Sequence, residues 1–472
     1  MSDEKPKSWG QEEQGHRLRR ASMLDIFKFS FNGLATNIPF VLLSSYLSYF
    51  YTDIFGLAPI VVSGILVGTK FIDAFIDPFI GMLNDATRSK MGRFRPWIIF
   101  CAPLLGISMW VVFTVPGWLE GDAKVIYAYV TYILYVVLSS LAIVPSNSSA
   151  ALMTDDPQQR AVVISWKQGM GLIPQLLTAF ALPLVKVLGG GSQGWSIYGA
   201  ILGAAACISF WISAWGVKPY DTMDRLPQQQ REGKREHSAL KELALAYKNK
   251  PLLILILVFF CSMAIFALSS SLNVYYFKYV LGHEDWVAAA TSIQIVGGVA
   301  GVAATPFLVK TFGKKRLYQM TSAIAIVPNL IMMLVPSPEL AFITGIFTAF
   351  QCASTITGTL GWAMLPDCID YTEYRHHRRT DGLTTSSFQF TNQMGQALGA
   401  ALPMVFLHAA GYVANQPQTA VVLGAISFMR WGLPALAYLI SLIAISFYPL
   451  TDDRAAEISA ELERRHGIEG VS

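Results

Sequence analysis

The sequence predicts an all-α membrane protein, with twelve transmembrane helices in two pseudo-symmetric six-helix bundles. Three observations lead there. Of 472 residues, 53% are hydrophobic and 14% are charged, against about 25% charged in an average soluble domain. The apolar residues fall in runs of roughly 20 or more, long enough to cross a bilayer. Basic residues gather in alternate loops, and the two halves of the chain repeat short motifs in the same order.

The first six spans begin near Met23, Ile60, Trp97, Val125, Ala161 and Gly194. The second six begin near Pro251, Trp286, Leu317, Glu339, Leu383 and Ala420. This divides the chain into a tail (1–22), a bundle (23–217), a charged linker (218–250), a second bundle (251–450) and a polar tail (451–472). The first tail is charged and has no short apolar region with a cleavage site, so it does not read as a signal peptide.

Basic residues follow every second span. Arg88, Lys90, Arg93 and Arg95 follow the second, and Lys310, Lys314, Lys315 and Arg316 follow the eighth. The linker holds Lys218 to Lys250, and Arg375, Arg378 and Arg379 follow the tenth. The alternate loops are nearly free of them. By the positive-inside rule both termini are cytosolic. The expected location is a plasma membrane, the inner membrane of a bacterium. A channel or a receptor could share this topology.

YFYTDIFG at Tyr49–Gly56 matches YYFKYVLG at Tyr275–Gly282, and GRFR at Gly92–Arg95 matches GKKR at Gly313–Arg316. Parallel six-helix halves joined by a long loop are the mark of the major facilitator architecture, which binds its solute between the halves near the midplane.

The second span carries Lys70, Asp73 and Asp77 in an apolar run. The two carboxylates, four residues apart, share one helix face, and Lys70 lies one turn away. A carboxylate at mid-bilayer costs on the order of 2.5–3.5 kcal/mol on insertion scales and commonly marks an ion path. The span therefore reads as a coupling-cation site, or else as a structural ion cluster. In the eleventh span Gln389, Gln393 and Gln396 lie along one face and suggest a polar wall to a cavity. In the loops, Asp85, Arg88 and Arg93 face a matching set of Asp367, Asp370, Glu373 and Arg379. These read as ion pairs that gate the cytosolic side. Positive-inside topology alone would need none of the acids.

Enzyme chemistry finds no foothold. There is no P-loop, and the five cysteines and the His376–His377 pair lack metal-ligand spacing. No cofactor and no nucleic-acid partner is expected. The partners are the bilayer, a small solute and a coupling cation.

Three stretches resemble one family. FIDAFIDPFIGMLNDATRSKMGRFRPW (Phe71–Trp97), YFYTDIFGL and PDCIDYTEYRHHRRTDG (Pro366–Gly382) are similar to the glycoside–pentoside–hexuronide:cation symporters of the major facilitator superfamily. The resemblance implies symport of a sugar or glycoside with a proton or sodium. It places the cation, as a proton or Na+, at Asp73 and Asp77 with the Ser140 hydroxyl. It places the solute near Asn37, Lys167 and Gln393, to which the helix geometry adds Lys70 and Gln389. Lys70 serves chiefly to balance charge. Lys167 either meets the solute or snorkels to the interface. Two positions depart from the family. Ile76 stands where a side-chain amide often supplies oxygen, which favours a proton, and Ile143 replaces an acid. The apolar Ile143 leaves a lysolipid-like solute open, and a non-transporting receptor remains the reading from another class.

Overall fold

A computed structural model of the chain describes residues 20–154, 156–222, 249–335, 339–376 and 381–469. Most of the linker (223–248) and Arg379 lie outside the described residues, as does the side chain of Asp85. The described secondary structure is helical. Eight helices are long and apolar enough to cross a membrane, or nine with one bent pair counted as a single span. Pro59–Ala86, Leu340–His376 and Asp381–Ala409 are equally long but carry polar groups within them. Together these follow the order of spans read from the sequence.

Local chemistry sets the helix starts. Ser22, Asn249 and Thr419 cap spans one, seven and twelve, each side-chain oxygen accepting a backbone N–H three residues on. Small residues set the packing. A Cβ on Gly203 would lie 2.4 Å from the Gly106 carbonyl oxygen, and one on Gly399 would lie 2.2 Å from that of Ala264. Spans three and six, and spans seven and eleven, thus touch backbone to backbone.

The halves repeat at atomic detail. Spans one and seven each end in a π turn, Phe50–Ile54 and Tyr276–Val280. Each then turns at a glycine of positive φ, Gly56 at 79° and Gly282 at 73°. Leu57 N–H bonds Tyr51 O at 2.8 Å, and His283 N–H bonds Phe277 O at 2.9 Å. A second repeat lies at the face that carries the termini. Asp221, just past span six, accepts backbone N–H groups from Arg93, Phe94 and Arg95 at 2.8, 2.9 and 3.0 Å. Asp452, just past span twelve, accepts the Lys314 N–H at 2.8 Å. Each acid thus sits at a helix N-terminus, where a negative charge is favoured.

Two expectations are corrected. Span five is not one helix. It runs Pro157–Met170, Ile173–Ala179 and Ala181–Val187, with a 54° bend between its last pieces. Pro174 and Pro183 lack the N–H that an unbroken helix would use. The stretch after span ten is not a loop as far as His376. Leu340–His376 is one helix of 37 residues, so Asp367, Asp370 and Glu373 stand on its extension.

Candidate functional site

Two cavities lie between the halves. The smaller, about 450 Å³, is lined by Lys70, Asp73, Asp77, Ser140, Gln389 and Gln393, with Ile143 beside them. The larger, about 880 Å³, is lined by Asn37 and Gln168 from the first half and by Asn273, Gln294, Gln351 and Arg430 from the second. Phe40 and Phe266 border both cavities. Their rings stack at 6.1 Å with an interplanar angle of 4°.

The second span points its carboxylates into the smaller cavity. Ser140 Oγ, from Asp122–Ser148, donates to Asp73 Oδ1 at 2.9 Å, and Lys70 Nζ lies 3.4 Å from Asp73 Oδ2. Asp73 is thus held by a hydroxyl and a cation. Asp77 is placed differently. Its Oδ2 accepts from Gln393 Nε2 of the second half at 3.2 Å, and its buried Oδ1 has no donor. Buried carboxylate oxygens are nearly always bonded, so an orphan facing a cavity is a place for a proton or a cation. The bond to Gln393 joins the carboxylate pair to both halves.

The expected solute residues divide between the cavities. Gln389 and Gln393 line the smaller one, and Asn37 lines the larger. Asn37 Nδ2 donates to Gly33 O at 2.8 Å, which leaves its carbonyl oxygen for a ligand. Lys167 lines neither cavity, and its Nζ donates at 2.7 Å to Oδ1 of Asn147, which lines the smaller one.

On the termini face, the bonds described for the expected gate residues stay within each half. Arg93 Nε donates to Asn84 O at 3.2 Å. Burial pushes the Arg93 guanidinium pKa down, and the Asp221 carboxylate opposes that shift. Asp367 pairs with Lys314 at 2.7 Å, Glu373 is buried, and Arg88 is exposed.

Among the described residues, and apart from Asp77–Gln393, the side-chain bonds identified between the halves cluster at the far face, opposite the termini. Asp53 Oδ1 meets Lys278 Nζ at 2.9 Å, and the Tyr279 hydroxyl donates to the same carboxylate. Tyr412 Oη donates to Asp53 Oδ2 at 2.7 Å. Asn415 Nδ2 donates to the Asp53 backbone oxygen at 2.6 Å. Thr52 and Tyr275 share a hydroxyl bond of 2.6 Å. The sequence presents YFYTDIFG and YYFKYVLG as repeats, and the first also as part of the family resemblance, without pairing their charges. The signal available was an acid and a lysine in two matching motifs of otherwise apolar and aromatic residues.

The MFS/sugar transport protein family matches residues 28–452. The isoprimeverose transporter of Lactiplantibacillus pentosus is 32% identical to this chain, covering 94% of it and 92% of that protein. The symporter YnaJ of Bacillus subtilis strain 168, itself uncharacterized, is 30% identical, covering 96% of this chain and 97% of its own. Among solved structures, the nucleoside transporter NupG superposes with a TM-score of 0.62 at 12% identity, covering 90% of this chain and all of that one. That likeness bears on the fold alone. The chain belongs to the MFS/sugar transport family of the major facilitator superfamily, and within it to the glycoside–pentoside–hexuronide:cation symporters that its second span resembles.

Proposed function

We propose that the chain is a secondary active symporter that takes up a sugar or glycoside with a proton, by alternating access. It is a transporter and not an enzyme. The observation that carries the reading is Asp77. One of its oxygens is buried without a donor, and the other is held by Gln393 from the opposite half.

A proton on Asp77 removes a charge from the bundle interior and turns an acceptor into a donor. The bond to Gln393 can then reorganise as solute binds. Asp73 already has Lys70 beside it at 3.4 Å. That positive charge competes with sodium, and Ile76 offers no oxygen, so a proton suits the site better. With both termini in the cytosol of a bacterial inner membrane, the Asp53–Lys278 cluster closes the outside. The solute then sits between Asn37 and Gln393, with Lys167 held behind Asn147 at the smaller cavity. The charges Asp85, Arg88 and Arg93 after span two, with Asp367, Asp370, Glu373 and Arg379 at the end of span ten and beyond, serve the inner gate in the opposite state.

The relative from Lactiplantibacillus pentosus makes isoprimeverose the first solute to try. Uptake of labelled sugar into proteoliposomes is measured with an inward proton gradient, an inward sodium gradient, or neither. The expected result is accumulation with the proton gradient and its loss in Asp77→Asn, while downhill exchange of solute persists. Accumulation driven only by sodium would overturn the choice of ion. Undiminished accumulation in Asp77→Asn would remove Asp77 from the site.

A further inference from the structure

The contact between spans one and seven runs inward from the far face, past the rings of Tyr49 and Tyr275, to those of Phe40 and Phe266. The two phenylalanines stand at the same sequence offset as the two tyrosines, so the internal repeat places one ring in each half. Their planes are within 4° of parallel, and their centroids are 6.1 Å apart. Both side chains are half-buried. Large apolar side chains deep in a bundle are ordinarily taken up by its core. Among the described residues, neither of these belongs to a hydrophobic core cluster. Each borders both cavities instead.

Their position makes the pair a waist. Asn37 lines the larger cavity and Gln393 the smaller, so a solute that reaches both lies across the two rings. Asn37 and Ser44 flank Phe40 by about one helical turn on either side. Ser44 lines both cavities. A ligand held here meets an aromatic ring from each half, with an amide and a hydroxyl at its edge.

The spacing decides what fits. The gap between the ring planes cannot exceed the distance between their centroids, so it is at most 6.1 Å. Carbon atoms in contact lie about 3.5–4.0 Å apart, so a saturated ring between two aromatic faces needs roughly 7–8 Å. The pair is therefore closed to a sugar ring by about 1 Å or more. One ring rides on each half, so the rocking of the halves can open and close that gap.

The chemistry of the faces adds a stereochemical rule. The face of a phenyl ring is the negative side of its quadrupole. The C–H bonds of a sugar, next to oxygen, are positive at hydrogen and are attracted to such a face. A pyranose with every substituent equatorial shows C–H groups on both faces and keeps its hydroxyls at the edge. An axial hydroxyl instead turns oxygen toward one ring face.

We propose that Phe40 and Phe266 are specificity-determining residues, which part to take a pyranose between their faces and so favour pyranosides whose ring substituents are all equatorial. This rests on the sugar-symporter reading and adds to it a choice of configuration.

The test uses the full-length protein in detergent and ligands that differ at one stereocentre. Methyl β-D-glucopyranoside, all equatorial, is compared by calorimetry with its C4 epimer, the galactoside, and its C3 epimer, the alloside. These two carry their axial hydroxyls on opposite faces of the ring. Isoprimeverose serves as a reference. The glucoside is expected to bind roughly fivefold tighter or more than either epimer. Phe40→Ala should reduce the penalty of one epimer to about twofold or less, and Phe266→Ala that of the other. Phe40→Tyr and Phe266→Tyr, which keep a ring face, should keep both penalties. Equal binding of the three pyranosides by the wild type would overturn the ring pair and leave the sugar reading standing. Penalties undiminished in both alanine variants would assign the preference to hydrogen bonds and overturn it too. Relief of both penalties by one variant and of neither by the other would reduce the pair to a single platform. No binding of any compound, the reference included, would sink the sugar reading and this inference with it. Both unliganded alanine variants are expected to melt within a few degrees of the wild type, because neither ring is part of a core cluster. A large fall in melting temperature, with both penalties unchanged, would make the rings packing residues.

Discussion

Asp53 and Lys278 form a 2.9 Å ion pair between the two halves, with the Asp53 side chain fully buried and that of Lys278 at 19% exposure. Removing one partner of a buried pair typically costs about 3–5 kcal/mol, because the other charge is left uncompensated. In Asp53→Asn the far-face closure should therefore lose population to the state open on that side. A cysteine placed at Ser44, which lines both cavities, reports the change. In a background without the five native cysteines, a membrane-impermeant maleimide added from the far side should label it about tenfold faster or more in Asp53→Asn. An unchanged rate would mean that this pair does not hold the closure.

Ser140 braces Asp73 through a single hydroxyl bond of 2.9 Å, and Lys70 remains when it is gone. The donated bond favours the charged carboxylate, so Ser140→Ala should change the balance by about 1 kcal/mol, or roughly a fivefold tighter apparent affinity of uptake for the coupling proton, with coupling intact. Uptake titrated against pH measures this. Complete loss of accumulation would make the hydroxyl a ligand of the ion.

Gln393 links the carboxylate pair to the second half at 3.2 Å. Gln393→Ala should let solute move downhill while lowering the accumulation ratio about tenfold, since ion occupancy no longer reaches the opposite bundle. Counterflow and gradient-driven uptake on the same vesicles separate the two effects. Equal losses in both would assign Gln393 to solute binding alone.

Gly399 and Gly68 give a paired test of packing. A Cβ on Gly399 would lie 2.2 Å from the Ala264 carbonyl oxygen, whereas one on Gly68 would meet nothing within 4 Å. Gly399→Ala should lower the melting temperature by several degrees or prevent expression, in line with an overpacking cost of about 1–3 kcal/mol. Gly68→Ala should match the wild type in a fluorescence-detected melting assay. Similar behaviour of the two would show that spans seven and eleven can separate at little cost.

Span order was legible in the sequence because hydropathy is a local property. The break in span five was not, because its three pieces read as one run, and its prolines do not mark a break by themselves: Pro39, Pro103 and Pro306 lie inside continuous helices. The helical extension of span ten was read as a loop from its charges. Those charges are partnered in the fold, as Asp367 is by Lys314, and loop and helix extension look alike in composition. The spacing of Asp73 and Asp77 put both on one face, and the structure adds Ser140 and Gln393 from sequence distances of 67 and 316 residues. Such distances carry no local pattern, and the family resemblance alone suggested them. Asp53 and Lys278 stayed hidden for another reason. The repeat aligns Asp53 with Tyr279 and not with its partner, so symmetry by itself does not pair the charges.

The long helix Leu340–His376 has a mechanical consequence. Its 37 residues rise about 55 Å at 1.5 Å each, against a hydrocarbon core of about 30 Å. The end carrying Asp367, Asp370 and Glu373 therefore overhangs the bilayer as a stiff lever arm. Pivoted near the midplane, a tilt of about 10° would sweep its tip by roughly 7 Å. A slight rocking at the depth of Asp77 is thereby geared up, at the tip, into a stroke longer than any ion pair can follow.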